Sequence, residues 1–176
     1  MSQPRICIID YGLGNIRSLA NALKEVGVQL SLSSHREEIL EADGCILPGV
    51  GAFAYGMHAL QSKALDTTLR AYAHSGKPLL GICLGMQLMM ESSEEFGSSQ
   101  GLGLIPGDVL KLGCQQEAAL RLPHVCWNDI VPHLDETGTR QFYPQRPVVQ
   151  ICTLFTLSPF SQPTLTIRSL RQHTMA

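Results

Sequence analysis

Among the 176 residues of this chain, the run whose residue types and spacing most directly suggest chemistry is Gly81-Ile82-Cys83-Leu84-Gly85. A nucleophile with glycine two residues away on either side, between a strand-like and a helix-like segment, has the logic of a nucleophile elbow. The turn is tight, and larger side chains at the flanking positions would collide with neighbouring backbone. Cys83 would then project from the C-terminal edge of a sheet, where open α/β sheets bind ligands. Its sulfur would face the start of a helix, which favours thiolate over thiol. A buried core cysteine beside packing glycines would give the same five letters.

A thiolate that attacks a carbonyl needs donors for the oxyanion that develops. The backbone N–H of Leu84, next after the nucleophile, is one. The other candidate lies in Pro48-Gly49-Val50-Gly51-Ala52-Phe53, where two glycines around Val50 let its peptide turn an N–H toward the site. Taken alone, that segment reads as a plain strand-to-helix turn; beside Cys83 the functional reading gains the advantage. Tyr11-Gly12-Leu13-Gly14-Asn15 invites a dinucleotide reading, but Arg17 stands where the third glycine belongs and no acidic residue closes the next strand at Leu32. It reads instead as a tight turn with a helix cap.

The elements that must position these residues alternate. Ile6–Ile9 is a short apolar run suited to a parallel strand buried on both faces. Asn15 caps a helix carrying Ile16, Leu19, Leu23 and Val26, and Gly27 ends it. Strands are expected at Val28–Leu32, Gly44–Leu47 and Leu79–Ile82. Helices are expected at Glu37–Glu41, at Met57–His74 closed by Gly76, and from Leu84 to Glu91. This alternation implies an α/β fold, a mostly parallel sheet flanked by helices on both faces. From Ser92 a loop runs through Gly103, with strand-like pieces at Val109–Leu112 and Leu120–Cys126. Five prolines from Pro132 to Pro163 weaken the pattern beyond.

Composition excludes several classes. Apolar residues make up 44% and charged residues 16%, and the net charge is −2 with scattered basic residues, which argues against nucleic acid. The longest apolar stretch, Pro78–Met90, is too short to span a bilayer, and the apolar run at Ile6–Ile9 is too short for a signal peptide. The cysteines at 7, 45, 83, 114, 126 and 152 form no C-x-x-C pair, so no metal or dithiol redox site is signalled, and no cofactor is expected. Cys7 and Cys45 lie in strand-like runs as small buried hydrophobes. The expected location is the cytoplasm, or an organelle stroma if a leader precedes this sequence.

Six motifs then converge: Asp10-Tyr11-Gly12-Leu13-Gly14-Asn15, Pro48 to Phe53, Gly81 to Leu88, Glu91 to Gly97, Gly103 to Gly107, and Leu122-Pro123-His124-Val125-Cys126-Trp127-Asn128. In order and spacing they resemble the class I glutamine amidotransferases, on a flavodoxin-like fold, over roughly residues 5 to 130. Within that family they look most like the glutaminase subunits of imidazole glycerol phosphate synthase. The resemblance implies that Cys83 attacks the side-chain amide of L-glutamine, forming a glutamyl thioester that water cleaves to glutamate. It implies that Gln87, Glu95 and Gly51 hold the glutamine, while Leu84 and Val50 supply the oxyanion N–H groups. Ammonia would pass to a cyclase subunit in a heterodimer, with Asn15 and Trp127 facing that partner. Cys126 departs from the glycine usual before the tryptophan.

The chain departs further at its C-terminal part. The family needs a His and a Glu from a late Q-F-H-P-E-K-S motif, the base and its orienter. No H-P-E occurs; the nearest string, Gln141-Phe142-Tyr143-Pro144-Gln145, would put Tyr143 and Gln145 in those places. A phenol with a pKa of about 10 and an amide that does not titrate cannot do that work at neutral pH. The remaining histidines at 35, 58, 74, 124, 133 and 173 offer no evident substitute. The amidotransferase domain is accordingly read as residues 1–143, incomplete, with 144–176 a divergent tail. The missing strands would leave a sheet edge exposed. The tail also allows a frame-shift reading. Codons ATT-TGT-ACA-CTC encode Ile151-Cys152-Thr153-Leu154, and one base further on they read Phe-Val-His and the start of a serine codon. The family carries F-V-H-S at about this point, although codon degeneracy alone permits such a match. Two other functions stay open: a cyclase-binding module that cannot hydrolyse glutamine, and another cysteine hydrolase on a related α/β fold.

Overall fold

The computed structural model describes residues 3–110 and the backbone of 149–152. β1 (Arg5–Ile9) leads through the turn at Gly12 and Gly14 into α1 (Ile16–Val26), then β2 (Gln29–Ser33), α2 (Arg36–Glu41) and β3 (Gly44–Leu47). The helices α3 (Phe53–Ser62) and α4 (Leu65–His74) come next, then β4 (Leu79–Ile82) and α5 (Leu84–Leu88). A smaller unit of β5 (Met90–Ser93), β6 (Ser99–Gln100) and β7 (Ile105–Val109) follows, and β8 (Val149–Cys152) is the last element among the described residues.

The main sheet has the order β2-β1-β3-β4-β8, with every neighbouring pair parallel. In this order the succession of strands reverses between β1 and β3, a topological switch point of the kind at which open α/β sheets bind ligands beyond the strand C-termini. Period-2 alternation sorts the strand residues. Cys7, Ile9, Cys45, Leu47 and Leu79 join Ile39, Leu60, Leu69 and Tyr72 in one core. On the other face, Ile6, Ile46 and Leu80 share a cavity with Leu23 of α1.

Local signals explain the ends of α1. The Asn15 side chain accepts from the Ser18 N–H at 3.3 Å, and Gly27 closes the helix in the left-handed conformation, φ 77°. The strands expected at residues 6–9 and 44–47 and the short helix of α2 are found within a residue or so of their expected bounds, and β2 is shifted by one residue.

Two helices differ from expectation. The single helix expected over Met57–His74 starts earlier and is two helices, broken at Ala64, which takes φ 54°. Leu60 and Leu65 are both buried, yet five residues apart they would stand about 140° apart around one continuous helix. Breaking the helix lets each half turn its own leucine to the core. The helix expected over Leu84–Glu91 stops at Leu88. The returning segment takes the carbonyls that would have continued it: the Leu102 N–H donates to Leu88 at 2.8 Å and the Leu104 N–H to Met89 at 2.9 Å. The residues from Ser92 to Gly103, expected as a loop, include part of the three-stranded sheet β6-β5-β7. β4 is paired on its other side with β8, inside the stretch expected as a divergent tail. The strand-like run Leu120–Cys126 lies outside the described residues, as does Trp127.

Candidate active site

Cys83 sits between β4 and α5 with φ 54° and ψ −118°, a backbone conformation that L-residues rarely adopt. The two flanking glycines are there for space. A Cβ on Gly81 would lie 2.6 Å from Met86 Cα, and one on Gly85 would overlap the Leu47 carbonyl. The missing side chains therefore let the end of β3 close directly on the start of α5. The elbow expected from five letters is present in the backbone.

The Cys83 thiol is half-buried. Burial pushes its pKa up, and a hydrogen bond from the Leu84 N–H opposes this without overcoming it. The expected preference for thiolate at the helix start is thus outweighed. Helix α5 has only five residues, so few aligned peptides act against the cost of removing a charge from water.

The Pro48–Phe53 segment leaves β3 at the same edge and crosses beside the elbow. A Cβ on Gly49 would be 2.6 Å from Tyr11 Oη, 2.7 Å from the Gly85 nitrogen and 2.9 Å from Leu84 Cβ, so only glycine fits there. Val50 is 46% exposed, which places its side chain outward on the rim, and Gly51 takes φ 106°. The first turn closes on the same place: the Tyr11 hydroxyl, buried, donates to the Pro48 carbonyl at 2.7 Å.

Two residues expected to hold substrate are also positioned here. Gln87 is half-buried on α5, one turn after Cys83. Glu95, also half-buried, accepts the Phe53 N–H at 2.7 Å through Oε2, so its carboxylate caps α3 just after Gly51 and Ala52. Its own N–H donates to the hydroxyl of Ser93, a fully buried residue. Asn15 is exposed at the end of the turn after β1, its side-chain oxygen engaged as the cap of α1. Tyr143 and Gln145 lie outside the described residues. Sequence reading passed over Tyr11 and Ser93. Tyr11 stood in a turn whose glycines drew attention, and Ser93 in a polar run that read as loop.

A sequence model of the family "Glutamine amidotransferase class-I" matches residues 7–147. Among curated proteins, the chain is 54% identical over 123 residues to "Imidazole glycerol phosphate synthase subunit HisH" of Bacillus cytotoxicus, covering 70% of this chain and 57% of that one. The proteins of the same name from Listeria innocua and Bacillus licheniformis are 53% and 49% identical; those matches cover 71% and 74% of this chain and 59% and 62% of theirs. The chain therefore spans about three-fifths of the length of these relatives. Among solved structures, one described as "Crystal structure of glutamine amidotransferase" superposes with a TM-score of 0.53 at 18% identity, over 63% of this chain and 59% of that one. That likeness concerns the fold.

Proposed function

The chain belongs to the class I glutamine amidotransferases, and we propose that it is the glutamine-handling subunit of an imidazole glycerol phosphate synthase, with Cys83 as nucleophile. The observation that carries this reading is the strained, glycine-flanked turn at Cys83 packed against the Pro48–Gly51 segment. The similarity to subunits of that synthase supports the choice within the family.

In this reading the Cys83 thiolate adds to the γ-carbonyl carbon of L-glutamine. The carbonyl electrons move to oxygen, between the N–H groups of Leu84 and Val50. Collapse expels ammonia once the nitrogen has gained a proton and leaves a glutamyl thioester. Water then releases glutamate and restores the thiol. Gln87, Glu95 and Gly51 line the place where the glutamine would sit. Ammonia goes to a cyclase subunit in a heterodimer, resemblance to the family assigning Asn15 and Trp127 to that partner, and the setting is histidine biosynthesis in the cytoplasm.

No H-P-E follows in the sequence, so proton delivery and water activation lack their usual groups. That favours a second reading, a docking module that binds the cyclase without sustaining turnover. Cyclase assays with glutamine and with ammonia separate the two. A glutaminase supports both, a docking module only the ammonia reaction, and a chain that binds no cyclase refutes both. The family-like domain is taken as residues 1–143, with 144–176 a tail in a shifted frame. A gene whose shifted frame contains neither F-V-H-S nor H-P-E rejects that frame assignment.

A further inference from the structure

We propose that Tyr11 is a positioning residue for the reaction at Cys83: its buried hydroxyl clamps the Pro48–Gly49 peptide against the start of α5 and so sets where the Val50 N–H points. This rests on the reading of Cys83 as nucleophile with Leu84 and Val50 as oxyanion donors.

The segment from Pro48 to Phe53 is anchored at both ends by side chains from distant parts of the chain. At its start, Tyr11 Oη donates to the Pro48 carbonyl at 2.7 Å, across 37 residues of sequence. At its end, the Phe53 N–H donates to Glu95 at 2.7 Å, across 42 residues. Between these anchors stand Gly49 and Gly51, the two residues with the most backbone freedom, on either side of Val50. A peptide flanked by glycines keeps one orientation only if its ends are held. The carbonyl of Pro48 belongs to the peptide plane directly before Gly49, so fixing it fixes the entry to the glycine hinge. Gly49 has no room for a side chain: the Tyr11 hydroxyl, the Gly85 nitrogen and Leu84 Cβ all crowd the position a Cβ would take.

Tyr11 suits this task chemically. It is 2% exposed, so water does not compete for the Pro48 carbonyl. Burial first, and charge on the Cys83 sulfur second, push its pKa above the usual phenol value. It therefore stays a hydrogen-bond donor beyond the pH at which an ordinary phenol ionises. Phenylalanine at this position would keep the ring's packing and lose only the clamp.

The test compares two reactions of the same sulfur. The first is acylation by the γ-nitrophenyl ester of glutamate. The thiolate adds to the γ-carbonyl, an oxyanion forms, and its collapse expels nitrophenolate and leaves the glutamyl thioester; the leaving group needs no proton. The second is alkylation by iodoacetamide, in which sulfur displaces iodide from a CH2 carbon and no oxyanion forms. For Tyr11→Phe the rate constant of the nitrophenolate burst is expected to fall by about tenfold or more, short of the roughly 10²–10³-fold that outright loss of an oxyanion donor costs. The half-saturating ester concentration and the iodoacetamide rate should stay within about twofold. Gly49→Ala, whose methyl would press on the Tyr11 hydroxyl and the start of α5 and so displace the same peptide, should show the same split. A wild-type burst retained by Tyr11→Phe, or an equal loss in both reactions, would overturn the clamp alone. No burst in the wild type, or one that survives Cys83→Ala, would overturn the reading beneath it and the clamp with it.

Discussion

Holding Cys83 at φ 54° costs on the order of 1–3 kcal/mol, which the surrounding contacts must offset. What the strain achieves is access: the sulfur stands at the sheet edge, while Cys7 and Cys45 are 0% and 2% exposed in the core. Native labelling with a diazo-ketone glutamine analogue should therefore modify Cys83 and spare those two; equal labelling of Cys7 and Cys83 would count against a preorganised site. Burial holds the Cys83 pKa above the usual thiol value. Its alkylation should accordingly speed up with rising pH to a midpoint above the peptide value of about 8.5, and a midpoint below that would contradict the account. The linked stability has the same sign. A thiol whose pKa is raised on folding contributes stability below its unfolded pKa, and that contribution is lost as pH rises through the folded value. At this scale the sequence was informative where chemistry needs a rare pattern. Gly81, Cys83 and Gly85 form such a pattern, and Val50 between two glycines forms another. Tyr11 was not legible, because its partner Pro48 is 37 residues away and one tyrosine in a turn carries no periodic or spacing signal.

The elements bring four separate stretches to one edge: the turn after β1, the segment after β3, the elbow after β4, and Glu95 from the turn after β5. Parallel pairing does most of this work, since every strand of the main sheet delivers its C-terminus to the same side. Strands such as Gly44–Leu47 were legible because a short apolar run between polar breakers has few alternative readings. The break between α3 and α4 was not, because Ala64 is a helix former with no turn signal, and only the need to bury Leu60 and Leu65 on separate faces demands it. That break can be probed. Ala64 occupies the left-handed region, so Ala64→Gly should stabilise the fold by up to about 1 kcal/mol in urea unfolding, whereas Ala64→Val should destabilise it. A loss of about 1 kcal/mol on Ala64→Gly would mean that the two helices join as one in solution. The small sheet β6-β5-β7 was hidden for a different reason. Its strands are two to five residues long and carry mostly polar residues, Ser foremost, so the alternation that marks a strand has no length over which to show.

For the whole molecule, the described residues bring Cys83, the Gly49–Gly51 segment and the Glu95 carboxylate to one edge of a sheet of order β2-β1-β3-β4-β8. The family match extends through residue 147, yet the motif that would bring a base and its orienter is absent from the sequence. Acylation and deacylation therefore stand on unequal ground. In the proposed reading the backbone N–H groups of Leu84 and Val50 favour addition of sulfur to the carbonyl, whereas proton delivery to ammonia and activation of water ordinarily fall to the H-P-E motif, which residues 1–176 do not contain. Positioned acid–base groups contribute on the order of 10²–10⁴-fold. The deciding measurement is glutamate release from L-glutamine by residues 1–176 bound to a matching cyclase, followed over many equivalents beside a complete family member. The account predicts release slower by about 10²–10⁴-fold that is abolished by Cys83→Ala. Turnover equal to that of the complete protein would show that a residue of this chain replaces the missing pair, and turnover that survives Cys83→Ala would remove Cys83 from the reaction.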